Sequence, residues 1–237
     1  MSRTWSFYGQ GLPQVKEPDW PGRLIAIEGA DAAGRSTQVA MLEEWLERQR
    51  HPVLVTGLRR SALVGKLIAR AKQGTRLGRR TLSLLYATDL ADQLENRVIP
   101  ALRAGFVVLA DRYIYSAMAR DLARGAEPEW LEQLYGFALR PDLVIYLKTT
   151  PQERLGRALA KSPVLDYWES GMDLGLAGDR FTSHLTYQGL LQVHFDRLAD
   201  HYGFVTVDGS ASKKAIHEQV RSSVEQALEG GNELAGS

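Results

Sequence analysis

Between residues 24 and 228 the chain alternates short, unbroken apolar runs with longer stretches whose apolar residues recur at helical spacing. The runs are 24–27, 53–56, 106–110, 143–147 and 204–207; the spaced stretches include Val39, Leu42 and Leu46, then Leu84, Leu85, Leu94, Val98 and Leu102. Strands separated by helical crossovers form a parallel sheet. Runs without polar alternation belong to strands covered on both faces. The pattern predicts an α/β protein with a five-stranded parallel sheet and helices on both faces, a three-layer arrangement. Thr150 and Pro151 read as the N-cap and first position of a helix after the fourth strand. A further helix is expected from about residue 179, with Leu190, Leu191, Val193 and Leu198 on its core side, and a last one over 213–228.

Ligands of such sheets bind beyond the carboxyl ends of the strands. The first strand runs into Gly29-Ala30-Asp31-Ala32-Ala33-Gly34-Arg35-Ser36-Thr37, and an amphipathic stretch follows from Gln38. Strand, glycine-bounded turn and helix are the pattern of a phosphate-binding loop, or P-loop. Gly29 and Gly34 let the backbone N–H groups of Ala32 and Ala33 turn inward, and a helix opening at Arg35 or Ser36 adds the positive end of its dipole. Ser36 is placed for a magnesium ion bridging phosphates, and Thr37 lies one position deeper. Arg35 stands where the pattern has Lys, a planar fork in place of a compact charge. A strand-to-helix turn that binds nothing is the alternative for the loop taken alone.

The other strand ends carry chemistry as well. The second is followed by Gly57-Leu58-Arg59-Arg60, whose arginines are either solvated or phosphate ligands. The third ends in Asp111-Arg112: the Asp is placed to hold magnesium and the Arg to clamp an acceptor phosphate, unless the two form a structural ion pair. Arg154, Arg157 and Lys161 lie on the helix after the fourth strand. A glycine-containing stretch with Asp166, Glu169 and Asp173 follows, a lid at about 158–180. The basic stretch 69–80 has no assigned role.

Composition narrows the field. A formal charge of +1 shows no broad footprint for nucleic acid. No cysteine means no disulfide and no thiol catalysis, which fits the cytoplasm. No apolar run reaches membrane-spanning length, and residues 1–22 lack the order of a signal peptide. Trp5, Phe7, Tyr8 and Trp20 among several Gly and Pro suggest an arm packed on the domain or on a partner. The organisation expected is an extension over 1–23, one domain over 24–228 and a fraying tail over 229–237.

Several segments, in order, resemble the thymidylate kinase family of P-loop nucleoside monophosphate kinases. They are Ile27-Glu28-Gly29-Ala30-Asp31 with Gly34-Arg35-Ser36-Thr37-Gln38; Leu84-Leu85-Tyr86-Ala87-Thr88-Asp89; Asp111-Arg112-Tyr113 with Ser116; Arg140-Pro141-Asp142-Leu143; and Asp179-Arg180-Phe181. The resemblance implies the three-layer P-loop kinase fold, γ-phosphoryl transfer from ATP to dTMP with Mg2+, and a homodimer. It implies that Asp31 lies near the acceptor sugar, Tyr86 under the base, and Asp208 and Ser210 by the adenine. Asp111 and Arg112 would serve metal and acceptor phosphate, with Arg35 and a lid-side arginine such as Arg157 on the transferred group. The departures lie on the acceptor side. Leu90 replaces a base-reading Arg, the turn arginine is either displaced to Arg59 or lost, Arg120 replaces a Tyr, and Thr182 a Glu. They leave two other readings open: a kinase for another nucleotide or small phosphate ester, and a nucleotide-binding regulatory protein with little turnover.

Overall fold

A computed structural model describes residues 6–15, 20–73 and 78–229. Its five strands are β1 (Arg23–Glu28), β2 (Val53–Gly57), β3 (Val107–Asp111), β4 (Leu143–Lys148) and β5 (Val205–Asp208). They form one parallel sheet in the order β2-β3-β1-β4-β5. Each of the five expected runs corresponds to a strand that extends one residue further at its carboxyl end, while Phe106 and Phe204 fall just before β3 and β5.

The central strands split their side chains by parity, as a sheet buried on both faces requires. Leu24 and Ala26 of β1, Val108 and Ala110 of β3, and Val144 and Tyr146 of β4 enter one core. Ile25, Ile27, Val107, Leu109, Ile145 and Leu147 enter the other. The second core is roofed by α1 (Arg35–Arg48), through Val39, Leu42 and Leu46, and by α9 (Lys213–Glu229), through Ile216, Val220 and Val224. The first core is covered by α3 (Arg79–Gln93), α5 (Ile114–Leu122) and α8 (Arg180–Tyr202). α3 continues through a π-turn, Leu94–Val98, into the short α4 (Ile99–Arg103), with Pro100 near its start. Three helices complete the fold: α2 (Gly65–Gln73), α6 (Pro128–Leu134) and α7 (Pro151–Lys161). α7 opens on a capping box between Thr150 and Glu153.

The core face of α8 is narrower than the sequence suggests. Tyr187, Leu191, Phe195 and Leu198 are buried, whereas Leu190 and Val193 are 36% and 47% exposed. The buried four recur at intervals of four, four and three and so share one face. Leu190 and Val193 sit roughly 100° per residue off that line. Leu84, on α3, is also outside the core, at 53% exposure.

Register fixes where chemistry can gather. Ile27 and Gly57 both lie opposite Asp111, Glu28 opposite Tyr146, and Lys148 opposite Asp208. The loops leaving the strand ends therefore share one edge of the sheet. The N-terminal arm lies elsewhere. Phe7 bridges Leu139, the Tyr8 amide donates to the Ala138 carbonyl at 3.0 Å, and the Tyr8 ring meets Tyr115 and Tyr202 edge-on. Trp20 is buried in the first core; Trp5 lies outside the described residues, as does the tail beyond Glu229.

In urea denaturation Leu191→Ala should cost about 2–5 kcal/mol as a core truncation, whereas Val193→Ala should change stability by no more than about 0.5 kcal/mol. Comparable losses at both positions would contradict the assigned face.

Candidate active site

β1 delivers the P-loop through a backbone only glycine accommodates. Gly29 has φ +147°, and a Cβ there would lie 2.8 Å from the Leu147 carbonyl oxygen. Gly34, at φ +97°, caps α1, which starts at Arg35. Ala32 also takes a positive φ, 63°. The Ala33 side chain is buried in the second core, so this residue offers the cleft only its backbone.

Arg35 is bent back under the loop. Its Nη1 donates to the carbonyls of Gly29 and Ala30, and its Nε to Asp111 Oδ1 at 3.4 Å. A guanidinium has five N–H donors and finds these acceptors without leaving the loop. Burial, with Arg112 nearby, lowers its pKa to about 10, so it stays charged at neutral pH. Ser36 Oγ donates to Asp111 Oδ2 at 2.6 Å. A hydroxyl and a carboxylate side by side are the hard oxygen donors magnesium takes, with water completing its shell. Among the described residues no cluster of three or more His, Cys, Asp or Glu offers a different metal site.

Asp31 collects cations. Its Oδ1 accepts from Arg112 and, at 2.9 Å, from Arg120. Burial alone would raise its pKa, but Arg120, Arg112, Arg35 and Lys72 together hold the carboxyl well below the usual range. Arg112 follows β3 with φ +74°, and its Nη1 also reaches Ser116 Oγ at 3.2 Å. Beneath it Glu28 is fully buried and accepts from the Tyr113 amide at 2.7 Å, the Ser116 amide at 3.3 Å and the Ser116 hydroxyl at 2.5 Å. Burial raises its pKa despite these bonds.

The turn after β2 is held from α3. Asp89 accepts from the amides of Arg59, at 2.6 Å, and Ser61, at 3.0 Å, while Gln93 donates to Asp89 and to the Gly57 carbonyl, both at 2.9 Å. This anchor keeps Arg59, at φ +66°, and Arg60 on the cleft with exposed side chains.

At the other flank Arg157 Nη2 donates to the Gly209 carbonyl at 2.8 Å and Nη1 to that of Ala33 at 3.5 Å. It braces the P-loop against the turn after β5, where Asp208 accepts from the Ser210 amide and hydroxyl at 2.9 and 2.6 Å. Arg180 Nη1 donates to the Leu165 carbonyl at 3.1 Å. Arg154 is not on the cleft: it is 1% exposed and donates to the carbonyls of Thr149 and Gln188, joining α7 to α8.

These loops enclose a cleft of about 1080 Å3, bordered by nine basic and four acidic residues. The excess of cations suits a polyphosphate. Arg35, Ser36, Thr37, Arg59, Asp111, Arg112, Arg120 and Arg157 all border it. Lys72, Arg120 and Glu169 also line a separate cavity of about 30 Å3, with Tyr86, Leu82, Asp121, Arg124, Trp168 and Tyr187. Tyr86 is thus at one end of the assembly, and Asp208 and Ser210 lie beyond Arg157 at the other.

A five-stranded parallel sheet in the order 2-3-1-4-5, with a glycine-bounded loop between β1 and α1, defines a P-loop kinase fold. A family model described as thymidylate kinase matches residues 27–220, and the chain belongs to that family. It is 34% identical over 201 residues to a probable thymidylate kinase 2 of Saccharolobus solfataricus, covering 84% of this chain and 94% of the relative. It is 32% identical over 216 residues to a probable thymidylate kinase of Pyrococcus abyssi, covering 88% and 98%. A third relative, a probable thymidylate kinase of Thermococcus onnurineus, is 38% identical over 148 residues, covering 59% and 72%.

Several contributors carry no functional signal of their own in the sequence. Lys72 sits in the unassigned basic stretch, of which 74–77 lie outside the described residues. Its pKa is lowered to about 8 by burial and by Arg120 and Arg59. Asp89 and Gln93 could have been read as a buried polar i,i+4 pair; Arg124 and Trp168 gave no local sign. Asp121 is 9% exposed, its Oδ2 has no hydrogen-bond partner, and burial pushes its carboxyl up to about 6. A raised folded pKa means the native state holds this proton more tightly, so stability falls as pH rises from about 4 to 6 and the penalty persists above. Asp121→Asn removes that penalty. Relative to the unmodified protein, the variant should gain roughly 2–3 kcal/mol between pH 4 and 7 in urea titrations; a gap that does not widen with pH would contradict the buried charge.

Proposed function

We propose that this member of the thymidylate kinase family phosphorylates dTMP to dTDP with ATP and Mg2+. The observation that carries the proposal is Asp31, Arg112 and Arg120 gathered between the P-loop and the Tyr86 cavity. It gives an acceptor nucleotide a phosphate end and a base end in the right order. The names of the relatives and the matched family model support dTMP as that acceptor.

In-line phosphoryl transfer asks the protein for position and charge. The P-loop amides and the N-terminus of α1 hold the donor phosphates, with Arg35 behind them. Ser36 and Asp111 would hold magnesium, which when bound neutralises phosphate charge. Arg112 clamps the acceptor phosphate, Arg59 lies within the same cleft, and Asp31, near the acceptor sugar, holds both Arg112 and Arg120 in place. Arg157 faces the transferred group from α7, and Asp208 and Ser210 border the adenine. Leu90 is 7% exposed within the first core, so this chain reads the base without the arginine usual at that position.

We infer the same organisation as the sequence suggests: a catalytic domain over 24–228 with a lid near 158–180, preceded by an extension over 1–23. Among the described residues no helix is long and apolar enough to cross a membrane. Together with the absence of cysteine this supports a cytoplasmic enzyme, and the family supports a homodimer.

The test is ADP formation from Mg-ATP with dTMP, dUMP and the other nucleoside monophosphates. Turnover should be highest with dTMP, and Asp111→Asn and Arg112→Ala should each lower kcat/KM by about a hundredfold or more, the loss of charge stabilisation at the transferred or acceptor phosphate. Turnover of a different acceptor in preference to dTMP would overturn the substrate assignment. Arg35→Lys should lower kcat by about tenfold, because the compact ammonium cannot reach both loop carbonyls and Asp111 at once. A gain in kcat would show instead that the guanidinium hinders transfer.

A further inference from the structure

The segment between α7 and α8, residues 162–179, is docked on the acceptor end of the cleft. Its chief fastening is Arg124, one residue past the C-cap of α5. Arg124 Nε and Nη2 reach the two carboxylate oxygens of Asp173 at 2.9 and 3.0 Å, and Nη2 also reaches the Trp168 carbonyl at 3.2 Å. Paired forks of this kind are both strong and directional. The two side chains are only 7% and 13% exposed. The guanidinium is further enclosed between aromatic rings, 4.8 Å from the Tyr187 centroid and 5.9 Å from that of Trp168.

Trp168 is the residue this fastening positions. Its Nε1 donates to the Lys72 carbonyl at 2.7 Å, on the last turn of α2, and its ring packs on the cluster of Val64, Ile68, Leu82 and Tyr86. It therefore shares a wall of the small cavity with Tyr86. From α8, Ser183 donates to the Ser170 carbonyl at 2.7 Å and Gln188 to that of Glu169 at 2.9 Å, so the chain beside Trp168 is held on both sides. At about 30 Å3 the cavity has room for a water or so, not for a base. A base entering beside Tyr86 has to move the indole or stack against it, and either way the docked position of 162–179 and acceptor binding become linked.

We propose that Trp168 is an acceptor-positioning residue: residues 162–179 close the base end of the acceptor site, and the Arg124–Asp173 fork sets where they close. The inference rests on the reading that the acceptor is a nucleotide with its base beside Tyr86. On that reading the donor phosphates lie at Arg35, Ser36 and Arg157, none of which lines the Tyr86 cavity that Trp168 walls.

Hydrogen exchange of the full chain separates the possibilities without requiring turnover. dTMP alone should slow exchange across 166–174 together with peptides of α3 and α5, while a Mg-bound, non-hydrolysable ATP analogue alone should slow the P-loop and leave 166–174 unchanged. Protection of α3 and α5 by dTMP without 166–174, or protection of 166–174 by the ATP analogue only, overturns the inference and leaves the acceptor reading standing. If dTMP slows exchange nowhere, the acceptor reading fails and the inference with it. In steady-state kinetics Trp168→Ala should raise KM for dTMP by about tenfold, the usual worth of a base-stacking ring, with kcat and KM for ATP little changed. Trp168→Phe should restore most of the loss. An equal rise in both KM values, or a fall confined to kcat, would point to a structural role and sink the proposal.

Discussion

The interaction on which the site depends is out of reach of any ligand. Glu28, at the end of β1, is fully buried and holds the first turn of α5 through two amides and a hydroxyl. Burying a carboxylate is costly unless its oxygens are satisfied. Here the compensation joins the strand that feeds the P-loop to the helix that carries the acceptor cations. Arg112 precedes that helix, Arg120 lies in its last turn and Arg124 just past its end. Asp31, three residues beyond Glu28, then pairs with Arg112 and Arg120 across the same junction. Donor loop and acceptor helix are thus fixed relative to each other by two carboxylates three residues apart, one sealed in and one facing the cleft.

The sheet was legible because its strands are covered on both faces and read as plain apolar runs. The P-loop was legible because strand, glycines and helix are local. What resisted reading was set by tertiary contact. On α8 the aliphatic Leu190 and Val193 looked like core, but the buried line belongs to Tyr187, Leu191, Phe195 and Leu198, and aromatic members make that line hard to see from aliphatic spacing. Arg124 and Asp173 are 49 residues apart, and Trp168 and Lys72 are 96 apart. No pattern in either segment announces such partners. Arg154 shows the converse, since it has the composition and place of a cleft residue yet is spent on joining two helices.

The departures on the acceptor side form one pattern. Where the family usually has an arginine reading the base, Leu90 completes the core; where it usually has a tyrosine, Arg120 crosses to Asp31. On the proposed reading the cations that face the acceptor lie on and beside α5, and α3 offers none at position 90. A hydrophobic wall at Leu90 cannot reject a base by leaving a buried polar group unpaired. If the acceptor is a nucleotide, discrimination there rests on shape, and the residues around Tyr86 are the ones that set it.

Two arginines of the cleft hold their own protein before they hold anything else. Arg35 has bonds to Gly29, Ala30 and Asp111, and Arg157 to Ala33 and Gly209. Any phosphate that recruits either guanidinium exchanges acceptors and does not simply add one, so the enthalpic gain of contact is a difference between two good hydrogen bonds. For Arg157 the exchange also uncouples the P-loop from the turn after β5. Ligand grip and loop stiffness are therefore competitors for one side chain, and tightening the first loosens the frame that shaped it.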